Sequence, residues 1–212
     1  MKTPIAKLAF TGCALLVAAF PSGCAFTKDY VALSYAPQAN VSKIQGAEAI
    51  MLKVEVADLR TVKDKVSVKK NGYGMEMAPI IATNDVAALV KNAIQTELSN
   101  RGFNCGGSIV MIEAGLTKFY SDFKTGFFSA SAAAEVMMNV QIKNPDGSIA
   151  LSRIVAGEGA NPSLQIMSGG NAKIALEAAL KDAVSKLMAD QAFMDSLLKA
   201  GSQSHADSPH SS

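Results

Sequence analysis

Ala134-Glu135-Val136-Met137-Met138-Asn139-Val140-Gln141-Ile142-Lys143, followed by Asn144-Pro145-Asp146-Gly147, carries the clearest conformational instruction in the chain. Ala134, Val136, Met138, Val140 and Ile142 alternate with Glu135, Asn139, Gln141 and Lys143, which predicts a strand with one face against a core and one toward water. Pro145 fixes its own φ and Gly147 accepts a positive one, so the tetrapeptide reverses the chain and Ser148 to Ala156 pairs back as a second arm.

Outward from this hairpin the periods stay legible. Ile109 to Phe119 reads as a preceding strand. Before it, Asn84 or Thr83 is placed to cap a helix whose Val86, Leu89, Val90, Ala93, Ile94 and Leu98 line one face, with Gly102 as a stop. Val66 to Lys69 and Met75 to Ile81 flank Asn71-Gly72 and predict another hairpin. Ile50, Leu52, Val54 and Val56 alternate into a first strand. Downstream of Gly169-Gly170-Asn171, an apolar stripe through Leu176, Leu180, Val184, Leu187 and Met188 predicts one long helix running toward Leu198. Strand, hairpin, helix, several antiparallel strands and helix add up to an α+β fold: a single mainly antiparallel sheet with two amphipathic helices packed on one face.

The domain so defined spans 47–200. Residues 24–46 mix Ala, Ser, Gln, Asn and Pro37 without a period and read as a flexible tether, whose span would be about 25 Å. Residues 201–212 are too polar to bury surface and read as a disordered tail, which holds both histidines, His205 and His210. Residues 1–23 have the build of a secretory signal: Lys2 and Lys7, an apolar run from Leu8 to Phe20, then Ser22 and Gly23. That run falls short of the ~20 residues a membrane span needs. Loss of this segment takes Lys+Arg from 20 to 18 against 18 Asp+Glu, leaving a neutral chain without the basic face a nucleic-acid partner requires.

Phe20-Pro21-Ser22-Gly23-Cys24 resembles the processing site of bacterial lipoprotein precursors, which makes Cys24 the lipidation site and the membrane the first partner. The other readings of Cys24 are an ordinary exported protein and an uncleaved anchor with a buried thiol. Pro21 stands where that pattern usually has an aliphatic residue. Ala25 follows the cysteine in place of Asp, and by the same resemblance this implies transfer to the outer membrane. Cys13 reads as an apolar residue of the signal. Cys105 is then left without a disulfide partner, and it reads as a buried, inert thiol with nucleophile as the alternative, since no His lies near it in sequence.

The interior of the chain offers little reactive chemistry. It has no Trp, its carboxylates are scattered singly, and no metal-ligand spacing, nucleophile elbow or phosphate loop is present, so no catalytic residue, metal or cofactor is expected. Gly169-Gly170 before a helix has two readings, an anion cradle and a plain loop with an Asn cap. Lys63, Lys65, Lys69 and Lys70 gather around one hairpin, as on a protected edge strand or as in a binding patch. Asp58 and Arg60 share the parity of the first strand's core face and form a candidate structural ion pair, with a ligand contact as the alternative. Phe119, Phe123 and Phe127 share one parity in a segment holding five of the thirteen aromatics. They form a candidate partner surface for a protein or an acyl chain; core packing plus a loop is the plainer alternative.

Several strings together are similar to the YajG-like family of small bacterial outer-membrane lipoproteins. They are the lipobox at Cys24, the first strand ending Asp58-Leu59-Arg60-Thr61, and the helix closing Leu98-Ser99-Asn100-Arg101-Gly102-Phe103. The strand pair across Asp146-Gly147 and the final helix passing Met188-Ala189-Asp190 complete the likeness, which covers nearly all of 47–197. It implies a periplasm-facing lipoprotein with no assigned enzymatic activity and supplies no catalytic residues. The expected function is a lipid-anchored, non-enzymatic binding or scaffolding module for another envelope protein or peptidoglycan-associated machinery. The alternative is an accessory lipoprotein of an envelope lipid-transport system whose Phe123 and Phe127 contact acyl chains; a hydrolase would need a cluster of proton-active side chains that the sequence lacks.

Overall fold

The computed structural model describes residues 27–107, 110–125, 130–164 and 166–206. Its elements run β1 (Asp29–Val31), a single 3-10 turn at Ala47–Ala49, β2 (Leu52–Asp58), β3 (Ser67–Lys70), β4 (Glu76–Ala82), α1 (Val86–Asn100), β5 (Val110–Thr125), β6 (Ala130–Lys143), β7 (Ile149–Leu164), α2 (Gly169–Ala189) and α3 (Gln191–Ala206). One seven-stranded sheet has the order β1-β4-β3-β5-β6-β7, with β2 also beside β5.

The β6–β7 hairpin forms as its alternation predicts. Ala132, Ala134, Val136, Met138, Val140 and Ile142 are all at most 6% exposed and face the helices. β5 is long because it is shared: Val110–Leu116 pairs with β2, Ser121 pairs with β3, and its other side pairs with β6 throughout. Its buried residues change parity midway, from Ile112, Ala114 and Leu116 to Phe119, Ser121 and Phe123. A bulge at Thr117, which has no partner between Leu116↔Met138 and Lys118↔Met137, supplies the extra residue that makes the change possible.

The sheet is mixed, which corrects the expectation of a mainly antiparallel one. β2 with β5, β1 with β4 and β3 with β5 run parallel; β3–β4, β5–β6 and β6–β7 run antiparallel. The cause is the crossover. A chain that leaves β2, passes through α1 and returns beside β2 arrives in the same direction, as a connecting helix dictates.

Three helices cover one face, in place of the expected two. The apolar stripe of the last helix continues into Phe193 and Leu197, both fully buried, but the backbone breaks at Asp190. Asp190 is extended, and its carboxylate accepts from Ala192 N and Phe193 N, so it ends α2 and caps α3. α1 is capped by Asp85, which accepts from Ala88 N, and not by Asn84 or Thr83. The Asn84 amide instead brackets Leu33, accepting from its N–H and donating to its carbonyl.

That bracket belongs to a segment read from sequence as tether. Val31 and Leu33 are buried in the core, and Asp29–Val31 adds a strand beside β4. Gln38 and Tyr35 are fastened to Glu97. The chain therefore joins the fold by Asp29. At the other end α3 continues to Ala206 and Gly201 is buried, so the first residues of the expected tail are helical.

Candidate functional site

Because all three helices lie on one side, the other side of the sheet is uncovered. Its side chains come from the remaining parity of β5, β6 and β7: Tyr120 and Asp122, Glu135 and Met137, Glu158 and Ala160. Lys118 pairs with Glu135 across the strands and Lys143 with Glu113. Tyr120 is half-buried, and its phenol is pushed up to about 12, by burial first and then by the carboxylates of Glu76, Asp122 and Asp64. It is therefore a neutral hydrogen-bond donor at neutral pH.

Three shallow hollows run along this face. One of about 490 Å³ has Ala133 and Ala160 as a low floor between Lys118, Asp122, Lys124 and Glu158. The next, about 430 Å³, shares Lys118 and Tyr120 and is closed by Arg60, Val62 and Met137. A third, about 520 Å³, lies between Glu55, Leu59, Gly115, Asn139 and Gln141. Small residues at 133 and 160 and the bulge at Thr117 leave the surface concave. What it offers chemically is hydrogen bonding and paired charge together with apolar contact from Met137 and the exposed Leu59, Val62 and Ile154.

The residues singled out in the sequence go to different places. Phe119 and Phe123 are 1% and 2% exposed and pack into the core, which corrects their assignment to a partner surface. The reason is the parity change at the bulge, which turns the aromatic face toward the helices. Phe127 and Cys24 lie outside the described residues. Arg60 Nε and Nη2 donate to Asp58 Oδ1 and Oδ2 at 2.9 and 2.8 Å, with Arg60 buried and its Nη1 without a hydrogen-bond partner. Hydrogen bonds from Arg60 hold the Asp58 carboxyl below the usual range despite partial burial.

The lysine hairpin is not at a sheet edge, because β3 lies between β4 and β5. Lys69 is 5% exposed and donates to Asp29 and to the carbonyl of Thr27; Lys70 pairs with Asp122 and Lys65 with Glu76. The N-terminus of α2 holds an anion, but an internal one. Gly169 N donates to Asp29 Oδ2 at 2.7 Å, while the cap is Ser168, accepting from Asn171 N. Burial raises the Asp29 carboxyl, but hydrogen bonds from Lys69 and Gly169 outweigh it and keep the group below its ordinary range.

Cys105 sits away from this face, half-buried, its thiol pushed up by burial and directed at the Gln95 carbonyl. Among the described residues no cluster of three His, Cys, Asp or Glu side chains is placed to hold a metal, and no helix is long and apolar enough to cross a membrane. Sequence reasoning missed Lys118, Tyr120 and Glu135 as a surface. The available clue was the slip between Leu116 and Phe119 in the alternation, which reverses the faces of half a strand.

No curated protein matches the sequence. A solved Xanthomonas campestris protein shares the fold, with a TM-score of 0.53 at 15% identity over 85% of this chain and 99% of that one. A minor lipoprotein from Acinetobacter baumannii aligns with a TM-score of 0.43 at 8% identity, over 69% of this chain and 93% of that one. The family described as "Uncharacterized lipoprotein" matches residues 37–197, from the segment fastened to Glu97 to the core of α3. The chain therefore belongs to the YajG-like family of lipoproteins.

Proposed function

We propose that the protein is acylated on Cys24 and held at the outer membrane facing the periplasm, and that its domain is a non-enzymatic binding module that presents the open sheet face to another envelope protein. The observation that carries this reading is the asymmetry of the sheet: helices bury one face, and the other is left concave and uncovered. A surface of paired lysines and carboxylates, amides and a neutral phenol, with Leu59, Val62 and Ile154 exposed among them, fits the mixed polar and apolar surface of a protein partner. The acyl-chain alternative drew on Phe123 and Phe127; the Phe123 ring is in the core, and Phe127 lies outside the described residues.

A photo-crosslinking amino acid at Ala133, on the open face, tests the proposal against one at Ala178, exposed on α2. In intact envelopes the Ala133 probe forms a discrete protein adduct and the Ala178 probe does not. Adducts confined to Ala178 would reject the face.

A further inference from the structure

The β3–β4 turn exposes the most accessible large hydrophobic side chain among the described residues. Tyr73 is 91% exposed and Met75 58%. They do not sit on a loose loop. Asn71 N donates to Met75 O, Gly74 N donates to Asn71 O, and the Asn71 side-chain oxygen accepts from both Tyr73 N and Met75 N. Gly74, at φ 80°, supplies the left-handed residue that the turn needs. An aromatic ring and a thioether are thus held out by a hydrogen-bonded turn, with nothing among the described residues covering them.

The path of the N-terminal chain identifies what lies opposite. Thr27 is tied by its carbonyl to Lys69, in the strand that ends at the turn. Only three residue steps separate Thr27 from Cys24, which reach about 10 Å at full extension. An acyl anchor on Cys24 would bring the bilayer to this end of the sheet. The same end carries Ile166, 68% exposed, and exposed Lys28 and Lys124, neither in an ion pair among the described residues. Tyr with its apolar body and polar tip suits the lipid–water boundary, and unpaired lysines suit anionic headgroups.

We propose that this end of the sheet rests on the bilayer, with Tyr73 and Met75 entering the lipid interface beside the anchored Cys24. The proposal rests on the lipid-anchor reading of Cys24. It makes the turn a second membrane contact that fixes the domain's orientation, where a single point of attachment would leave it free to swivel.

The chain has no Trp, so Tyr73→Trp creates a unique fluorophore. Ile149→Trp, 56% exposed at the opposite end of the sheet, is the distant reporter. At about 3.3 Å per residue along β5, the two ends stand about 50 Å apart. Full-length variants, with acylation of Cys24 read by mass, are reconstituted in vesicles of phosphatidylethanolamine and phosphatidylglycerol containing doxyl-labelled lipid. The expected result is a blue shift and quenching at position 73 and neither at 149. Acylated, vesicle-bound Tyr73→Trp protein whose indole emits as in water overturns the proposal and leaves the anchor standing. Unmodified Cys24 overturns the anchor reading and the proposal with it. A blue shift of the same indole in lipid-free detergent extract on adding envelope proteins, with no quenching in vesicles, overturns it in favour of a protein occupant.

Discussion

Glu97 shows how one side chain can organise a distant segment. It is fully buried on α1, and its carboxylate accepts from Tyr35 Oη, Gln38 N and Arg101 Nη1. Burial raises its pKa, but the three donors outweigh it and hold the carboxyl below its ordinary value. A depressed carboxylate contributes stability that is present above the unfolded-state value, about 4.3, and lost as pH falls through the folded one. Glu97→Gln is therefore expected to lower stability at pH 7 by about 2 kcal/mol, since it removes the charge that Arg101 faces and leaves the guanidinium only Gln38 Oε1 and the Glu97 carbonyl as acceptors. Thermal unfolding of both proteins from pH 7 to pH 3 should show the gap between them narrowing in acid; a constant gap would reject the assignment. Asp58→Ala strands buried Arg60, whose side-chain hydrogen bonds among the described residues all go to Asp58, and a loss of about 3 kcal/mol is expected in urea unfolding, with vesicle binding unchanged.

At the scale of elements, α2 lies on β7 at a distance that only missing side chains allow. A Cβ on Gly157 would come within 2.3 Å of Ala179 O and Ala183 N, and one on Gly159 within 2.2 Å of Ala175 O. Ala175, Ala179 and Ala183 keep the helix side equally low. The contact also closes an edge: Asp182 accepts from Glu158 N, and Lys186 donates to Ala156 O, so α2 takes up outward backbone groups of a sixteen-residue edge strand. Gly157→Ala should therefore push helix from strand and cost at least about 2 kcal/mol, lowering Tm by about 5 °C or more. Gly72→Ala, where a Cβ meets nothing within 4 Å, is the control and should leave Tm unchanged in calorimetry. The alternation of β7 marks Gly157 and Gly159 as inward-facing, but sequence alone does not say that a helix backbone lies against them.

For the molecule as a whole, the junction between anchor and domain matters most. β1, the Asn84 bracket on Leu33 and the Asp29–Lys69–Gly169 node make residues 27–36 part of the fold, although the family match begins at residue 37. A chain starting at Thr27 should match the stability of the longer protein in urea unfolding. One starting at Pro37 loses burial of Val31 and Leu33 and should be weaker by about 3–5 kcal/mol; equal midpoints would return the segment to the status of a tether. Cys24→Ala should release the domain from the membrane pellet, as read by membrane fractionation. On the proposed anchoring, with the β3–β4 turn against the bilayer, the sheet would stand away from the membrane and its open face would look sideways.

The sequence by itself determined the α+β class, the 134–156 hairpin, the helix over 86–100 and the family, because alternation, helical periodicity and turn residues are local properties written within a few residues of one another. Only the tertiary structure decided that β2 returns parallel to β5, that Asp190 divides the last helix, that residues 27–36 are built in, and which face of the sheet is open. Each of these depends on which distant segment satisfies a backbone or covers a surface, and an aromatic at Phe119 reads the same in sequence until a bulge two residues earlier sets the direction it points.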